Sequence, residues 1–150
     1  MDDSRLIENL IYTYAERIDA GDLEGVAELF REGRIVSPEH GTEFSGYEEV
    51  LGLYKASCRI HQPSGTPLTR HLTSNVIIDV DASGKHASAR ACYTVFQATD
   101  TLPLQPIITG RYRDSFLKTD GRWQFETREM YVDLLGDCSQ HLLYSTDNLG

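Results

Sequence analysis

Two side chains far apart in the sequence have the chemistry of a proton-transferring pair, Asp19 and His71. An imidazole titrates near pH 6.5, so it exchanges protons under physiological conditions. To act as a general base it needs one tautomer and a fixed orientation, and a buried carboxylate supplies both. Asp19 falls at the expected C-terminus of a helix, where the macrodipole disfavours a carboxylate. An acid in that place asks for a cationic or hydrogen-bond-donating partner. The competing reading makes Asp19 a solvated helix-end residue and His71 a structural histidine at a strand edge. Periodicity alone leaves both open.

The elements that must position the pair are readable. Residues 4–20 form an expected amphipathic helix, with Ile7, Leu10, Ile11, Tyr14 and Ile18 at three- and four-residue spacing and Gly21 as its stop. Asp19 lies on the flank of that apolar stripe. Asp22 can cap a second, short helix, after which Gly33 releases the chain into a strand at Arg34–Ser37, a turn at Pro38–Gly41 and a strand at Thr42–Phe44. Ser45 and Glu48 have capping-box spacing and open a third helix carrying Val50, Leu51, Tyr54 and Cys58 on one face. His61–Pro67 is a loop. Thr69–Asp81 then begins with titratable groups and ends in a β-branched run, which reads as a strand with His71 at its entrance.

Residues 86–98 alternate between Ala87, Ala89, Ala91, Tyr93, Val95 and a more polar set that includes Phe96. A strand from Ile107 to Leu117, the hairpin signal Thr119-Asp120-Gly121 and a returning strand Arg122–Asp133 follow. Residues 134–150 read as a C-terminal tail. Helices first and long antiparallel strands afterwards make an α+β layout, with helices covering one face of a strongly curved sheet. A cavity open at one end is the expected place for a small molecule.

Composition narrows the function. The 150 residues fit one domain, 1–150, long enough to bury a core without disulfides or a metal. A net charge of −9 argues against nucleic acid and anionic membranes as partners. No apolar run approaches the roughly 20 residues that span a bilayer. The start Met1-Asp2-Asp3-Ser4 is acidic where a secretory leader is basic, and Cys58, Cys92 and Cys138 are an odd count without CxxC spacing. Both features point to a cytoplasmic protein with free thiols. Cys58 and His61 have ligand-like spacing, but no second pair follows, so no metal is expected. The sequence contains neither a phosphate loop nor a GxSxG elbow, and no cofactor is expected.

The segments Ile18-Asp19-Ala20-Gly21-Asp22, Thr69-Arg70-His71 and Asp120-Gly121-Arg122-Trp123-Gln124-Phe125 carry a resemblance. With the layout, they resemble the SnoaL-like branch of the NTF2-like (cystatin-like α+β) superfamily, over nearly the whole chain to about Asp133. Within it the chain is most similar to the group of scytalone dehydratase, bile acid 7α-dehydratase and hexachlorocyclohexane dehydrochlorinase. The resemblance implies a catalytic Asp–His dyad, here Asp19 and His71. It also implies a catalytic tyrosine five residues before the aspartate, matched by Tyr14, and an arginine near the dyad, matched by Arg128. Tyr14 has an equal reading as a core aromatic. Arg128 would hold Asp19 ionised and stabilise a departing anion, but it is out of parity with Trp123 and needs a β-bulge to face the same cavity. Scytalone dehydratase also has a second pocket histidine, and here no histidine lies between His86 and His141.

Alternation places Thr73 and Asn75 on the His71 face, to bind a substrate oxygen or to satisfy strand neighbours. Tyr54, Tyr93 and Phe96 line either the cavity or the core. Arg111 reaches the cavity or, preferably, an intersubunit ion pair. The expected function is a cofactor-independent lyase of dehydratase type, or an isomerase, acting on a small, largely apolar polyketide- or steroid-like molecule. The alternative is a non-catalytic ligand-binding or assembly protein of the same fold. The resemblance implies a homo-oligomer, trimer before dimer.

Overall fold

A computed structural model describes residues 2–146. The end of the expected tail, residues 147–150, lies outside the described residues, as does Met1. Helix α1 (Asp3–Asp19) starts at an Asp2 cap, whose side chain accepts from the Arg5 amide. Its buried stripe is Ile7, Ile11, Tyr14, Ala15 and Ile18. It ends in a Schellman motif: the Gly21 amide donates to the Ile18 carbonyl and the Asp22 amide to the Arg17 carbonyl. Gly21 takes a φ of 73°, and a Cβ there would overlap the Gly65 carbonyl of the loop passing beside it. That close approach brings the loop before His71 against the end of α1.

Helix α2 (Leu23–Leu29) is capped by Asp22, and α3 (Gly46–Ser57) follows the strands β1 (Arg34–Ser37) and β2 (Thr42–Ser45). The Ser45 side chain does not cap α3. Glu49 accepts from the Ser45 amide instead, one residue beyond the expected capping-box partner Glu48. Strands β3 (Thr69–Val80), β4 (His86–Gln97), β5 (Gln105–Thr119) and β6 (Arg122–Leu135) form the long antiparallel part. The full sheet is mixed and open, ordered β2-β1-β6-β5-β4-β3, because β1 lies parallel to β6. The helices pack on one face, and the core between the layers includes Phe30, Ile107, Phe116 and Phe125. Trp123 and Lys118 of the β5–β6 hairpin donate to Asp3, tying the start of α1 to the sheet. Among the described residues no helix is long and apolar enough to cross a membrane.

Extra residues in the strands decide which side chains face inward. β3 gains one residue between Ser74 and Ile77, with Asn75 at φ 55°. The inward set therefore changes from His71 and Thr73 to Val76, Ile78 and Val80, and Asn75 is left exposed. The expected alternation through Asn75 is thus broken. β6 gains Glu126, opposite the Ser115–Phe116 step, and this is the bulge that Arg128 requires to lie on the buried side.

Candidate functional site

Asp19, at the last turn of α1, meets the first residues of β3. Its carboxylate accepts from His71 Nδ1 at 2.6 Å, from the His71 backbone amide at 2.8 Å and from Thr69 Oγ1 at 2.9 Å. These three donors answer the unfavourable helix dipole. Burial works to raise the carboxyl, and the His71 ring, its amide and Thr69 outweigh it, so Asp19 is held below the ordinary carboxylate range. The carboxylate only accepts, so Nδ1 of His71 carries a proton, and in the neutral form of the ring the lone pair is at Nε2. The His71 side chain is 8% exposed and lines a cavity. A base-type nitrogen oriented by an acid is the arrangement general-base chemistry requires.

The cavity measures about 370 Å³ and lies between the helices and the sheet. Its walls are largely apolar, from Ile18, Leu53, Val95, Ile108, Met130 and Val132 among others. Among the described residues no Lys, Arg, Asp or Glu side chain lines it. A neutral molecule suits such a wall, because no permanently charged side chain there would compensate a charge. Tyr14, Tyr54 and Tyr93 all line the cavity, and the Tyr14 and Tyr54 hydroxyls hydrogen-bond to each other. Burial raises the pKa of all three, keeping them as hydroxyl donors. Tyr93 stacks on Tyr112 and donates to the Tyr131 carbonyl across Gly110, where a Cβ would overlap that carbonyl.

Four expected positions differ. Arg128 is fully buried but does not line the cavity: its guanidinium makes two 2.9 Å bonds to Asp114 and lies over the Tyr112 and Tyr14 rings. Burial opposes its charge, and Asp114 more than restores it, so the pair stays joined. Asp19 therefore draws its stabilisation from His71 and Thr69 and not from Arg128. Asn75 is turned away by the β3 bulge, and Phe96 lies on the opposite face of β4 from Tyr93 and Val95. Neither reaches the cavity. Arg111 pairs within its own chain, with Asp133 at 2.8 and 2.9 Å.

The sequence reading missed His141. The segment after β6 folds back over the cavity, Leu142 bridging to Cys58 and the Arg59 amide donating to the His141 carbonyl. Gln97, at the end of β4, donates to the Pro67 and Gln140 carbonyls, and His61 Nε2 also donates to Gln140. The His141 ring sits edge-on to His71, with centroids 6.2 Å apart. His141, from the expected tail, and His40, from the turn between β1 and β2, thus join His71 on the cavity wall. Among the described residues no group of three or more His, Cys, Asp and Glu side chains is arranged to hold a metal ion.

The profile of the SnoaL-like domain matches residues 1–129, and the chain belongs to this family. A search of curated proteins finds no match. Among solved structures it is similar to a Mycobacterium tuberculosis protein of unknown function, 25% identical over 89% of this chain and 73% of that one, with a TM-score of 0.71. It is also similar to a proposed scytalone dehydratase from Novosphingobium aromaticivorans, 26% identical over 90% and 87% of the two chains, with a TM-score of 0.69. LinA shares the fold at 16% identity, over 87% and 86%, with a TM-score of 0.66. Neighbours described as cystatin-like place the chain in that α+β class.

Proposed function

We propose that the protein is a cofactor-independent lyase of dehydratase type, or an isomerase, for a small neutral molecule of polyketide- or steroid-like character. The observation that carries this reading is the 2.6 Å bond from His71 Nδ1 to Asp19 on the wall of a largely apolar cavity. His71 Nε2 takes a proton from carbon, and Asp19 holds the tautomer and stabilises the imidazolium that forms. The Tyr14 and Tyr54 hydroxyls share one hydrogen bond, and the proton that this bond leaves over is the donor we assign to an oxygen of the substrate. The free thiols Cys58, Cys92 and Cys138 fit a reducing cytoplasm, and exposed Leu72 and Ile77 on β3 fit burial in a homo-oligomer, which we take to be a trimer or dimer.

A panel of neutral hydroxylated and halogenated polycyclic compounds, scored by mass spectrometry for loss of water or hydrogen halide, tests the reading. His71→Ala is expected to lower turnover of any compound that reacts by about 10²–10⁴-fold. Unchanged turnover in that variant overturns the proposal. The second reading, a non-catalytic binding protein, draws on Arg128. Its charge is engaged by Asp114, so among the described residues no Lys or Arg lines the cavity to assist a leaving anion. Tight binding with no conversion across the panel favours that reading.

A further inference from the structure

We propose that His141 is a second catalytic residue, whose Nε2–H donates to a carbonyl oxygen of the substrate while His71 removes the proton from the adjacent carbon. The inference rests on the lyase reading above and names its substrate class: an enolisable carbonyl compound, with a β-hydroxyl where the reaction is a dehydration.

The two rings carry the same chemistry in opposite states, set by what lies at Nδ1. In His71, Nδ1 donates to Asp19, so Nε2 offers a lone pair. In His141, Nδ1 is buried with no hydrogen-bond partner among the described residues. A proton there would be a buried donor without an acceptor, costing about 1–3 kcal/mol, so the proton belongs on Nε2. Nε2 of His141 makes no hydrogen bond among the described residues and is not enclosed, and the side chain lines the cavity. An acceptor nitrogen and a donor nitrogen therefore belong to two adjoining rings, 6.2 Å between centroids and inclined at 71°. A C–H and a C=O on neighbouring carbons are the complementary pair.

The charge state fits the same task. Burial first, and then the neighbouring His71, hold His141 down to about 4, so it stays neutral while His71 gains a proton. A neutral imidazole polarises a carbonyl without placing a second cation beside the imidazolium. The steps balance. His71 Nε2 takes the α-proton, the C–H electrons form the enolate C=C, and the carbonyl π pair moves onto the oxygen that His141 holds. The enolate then collapses, C=O re-forms, the α–β double bond forms and the β C–O bond breaks. The departing hydroxide takes the proton from His71 and leaves as water. The His141 ring keeps this position because Gln140 is held by both Gln97 and His61 and the His141 carbonyl accepts from Arg59.

The test uses the bicyclic ketone 1-tetralone and its hydrocarbon counterpart tetralin, titrated calorimetrically into the full chain. The wild type is expected to prefer the ketone, and to exchange its α-hydrogens in D₂O as followed by proton NMR. His141→Phe keeps an aromatic ring and is expected to lower the ketone preference about tenfold, the value of one hydrogen bond, and to slow exchange. His141→Gln keeps an N–H and is expected to retain part of both. His71→Ala is expected to abolish exchange while leaving the ketone preference in place. A preference unchanged in both His141 variants overturns the inference, as does a wild type with no preference, including one that binds neither compound. Exchange that survives His71→Ala overturns the lyase reading instead, and the His141 hydrogen bond is then judged by the binding ratio alone.

Discussion

Asp19 is gripped by His71 twice, through the ring Nδ1 at 2.6 Å and through the backbone amide at 2.8 Å. The first bond sets the tautomer of the imidazole. The second fixes where the carboxylate stands relative to β3. A single residue thus both receives orientation from the acid and helps hold that acid against the dipole of α1.

Asp19→Asn separates these roles. The amide is nearly isosteric, but its NH₂ group can donate to Nδ1 and shift the ring proton to Nε2, removing the base. Turnover by the proposed reaction is expected to fall by about 10²–10⁴-fold with little change in substrate binding. Nitrogen-15 NMR of the His71 ring reads the tautomer directly, and an unaltered tautomer together with full activity would contradict this role for Asp19.

The pH dependence of stability reports His141. Its folded pKa, about 4, lies below the unfolded value of about 6.5, so the folded state binds this proton less readily. The contribution is complete above about pH 6.5 and is lost as the pH falls towards 4, in total on the order of 3 kcal/mol. Asp19 is also depressed when folded, and its loss begins lower, as the pH enters the carboxylate range. Denaturant melts between pH 7 and 4 are expected to show a decline that His141→Gln flattens. Parallel curves for the two proteins would count against the buried neutral ring.

The Arg128–Asp114 pair gives a third expectation. Arg128→Met leaves a carboxylate fully enclosed without its partner, and should destabilise by about 3–5 kcal/mol. Adding Asp114→Leu removes the orphan, so the double variant is expected to recover much of that loss. Chemical denaturation of the four proteins gives the coupling energy, and additive single effects would show that the two groups act independently.

Much of the architecture is legible because it obeys one period at a time. The 3.6-residue stripe of α1, the Asp120-Gly121 turn with both residues at positive φ, and the strand entrance at His71 all follow local rules. The Asp19–His71 meeting was reached through a family resemblance, since no local rule joins residues 52 apart. What escaped was non-local. A bulge inserts one residue without altering composition, so Asn75 looked inward by alternation and is not. Asp114 did leave a signal: Tyr112, Asp114 and Phe116 alternate onto the buried face, and a carboxylate in that series demands a cation. The segment carrying His141 has no periodicity, and its place depends on carbonyls held by Gln97, His61 and Arg59.

The double grip on Asp19 also separates heritable shape from heritable chemistry. Any residue at position 71 except proline still offers the amide, and Thr69 still offers its hydroxyl. Drift at that position would leave the helix end and the strand entrance fastened while silencing the proposed reaction. The same backbone could then persist in descendants as a bare receptacle, and a single substitution back to histidine would re-arm it.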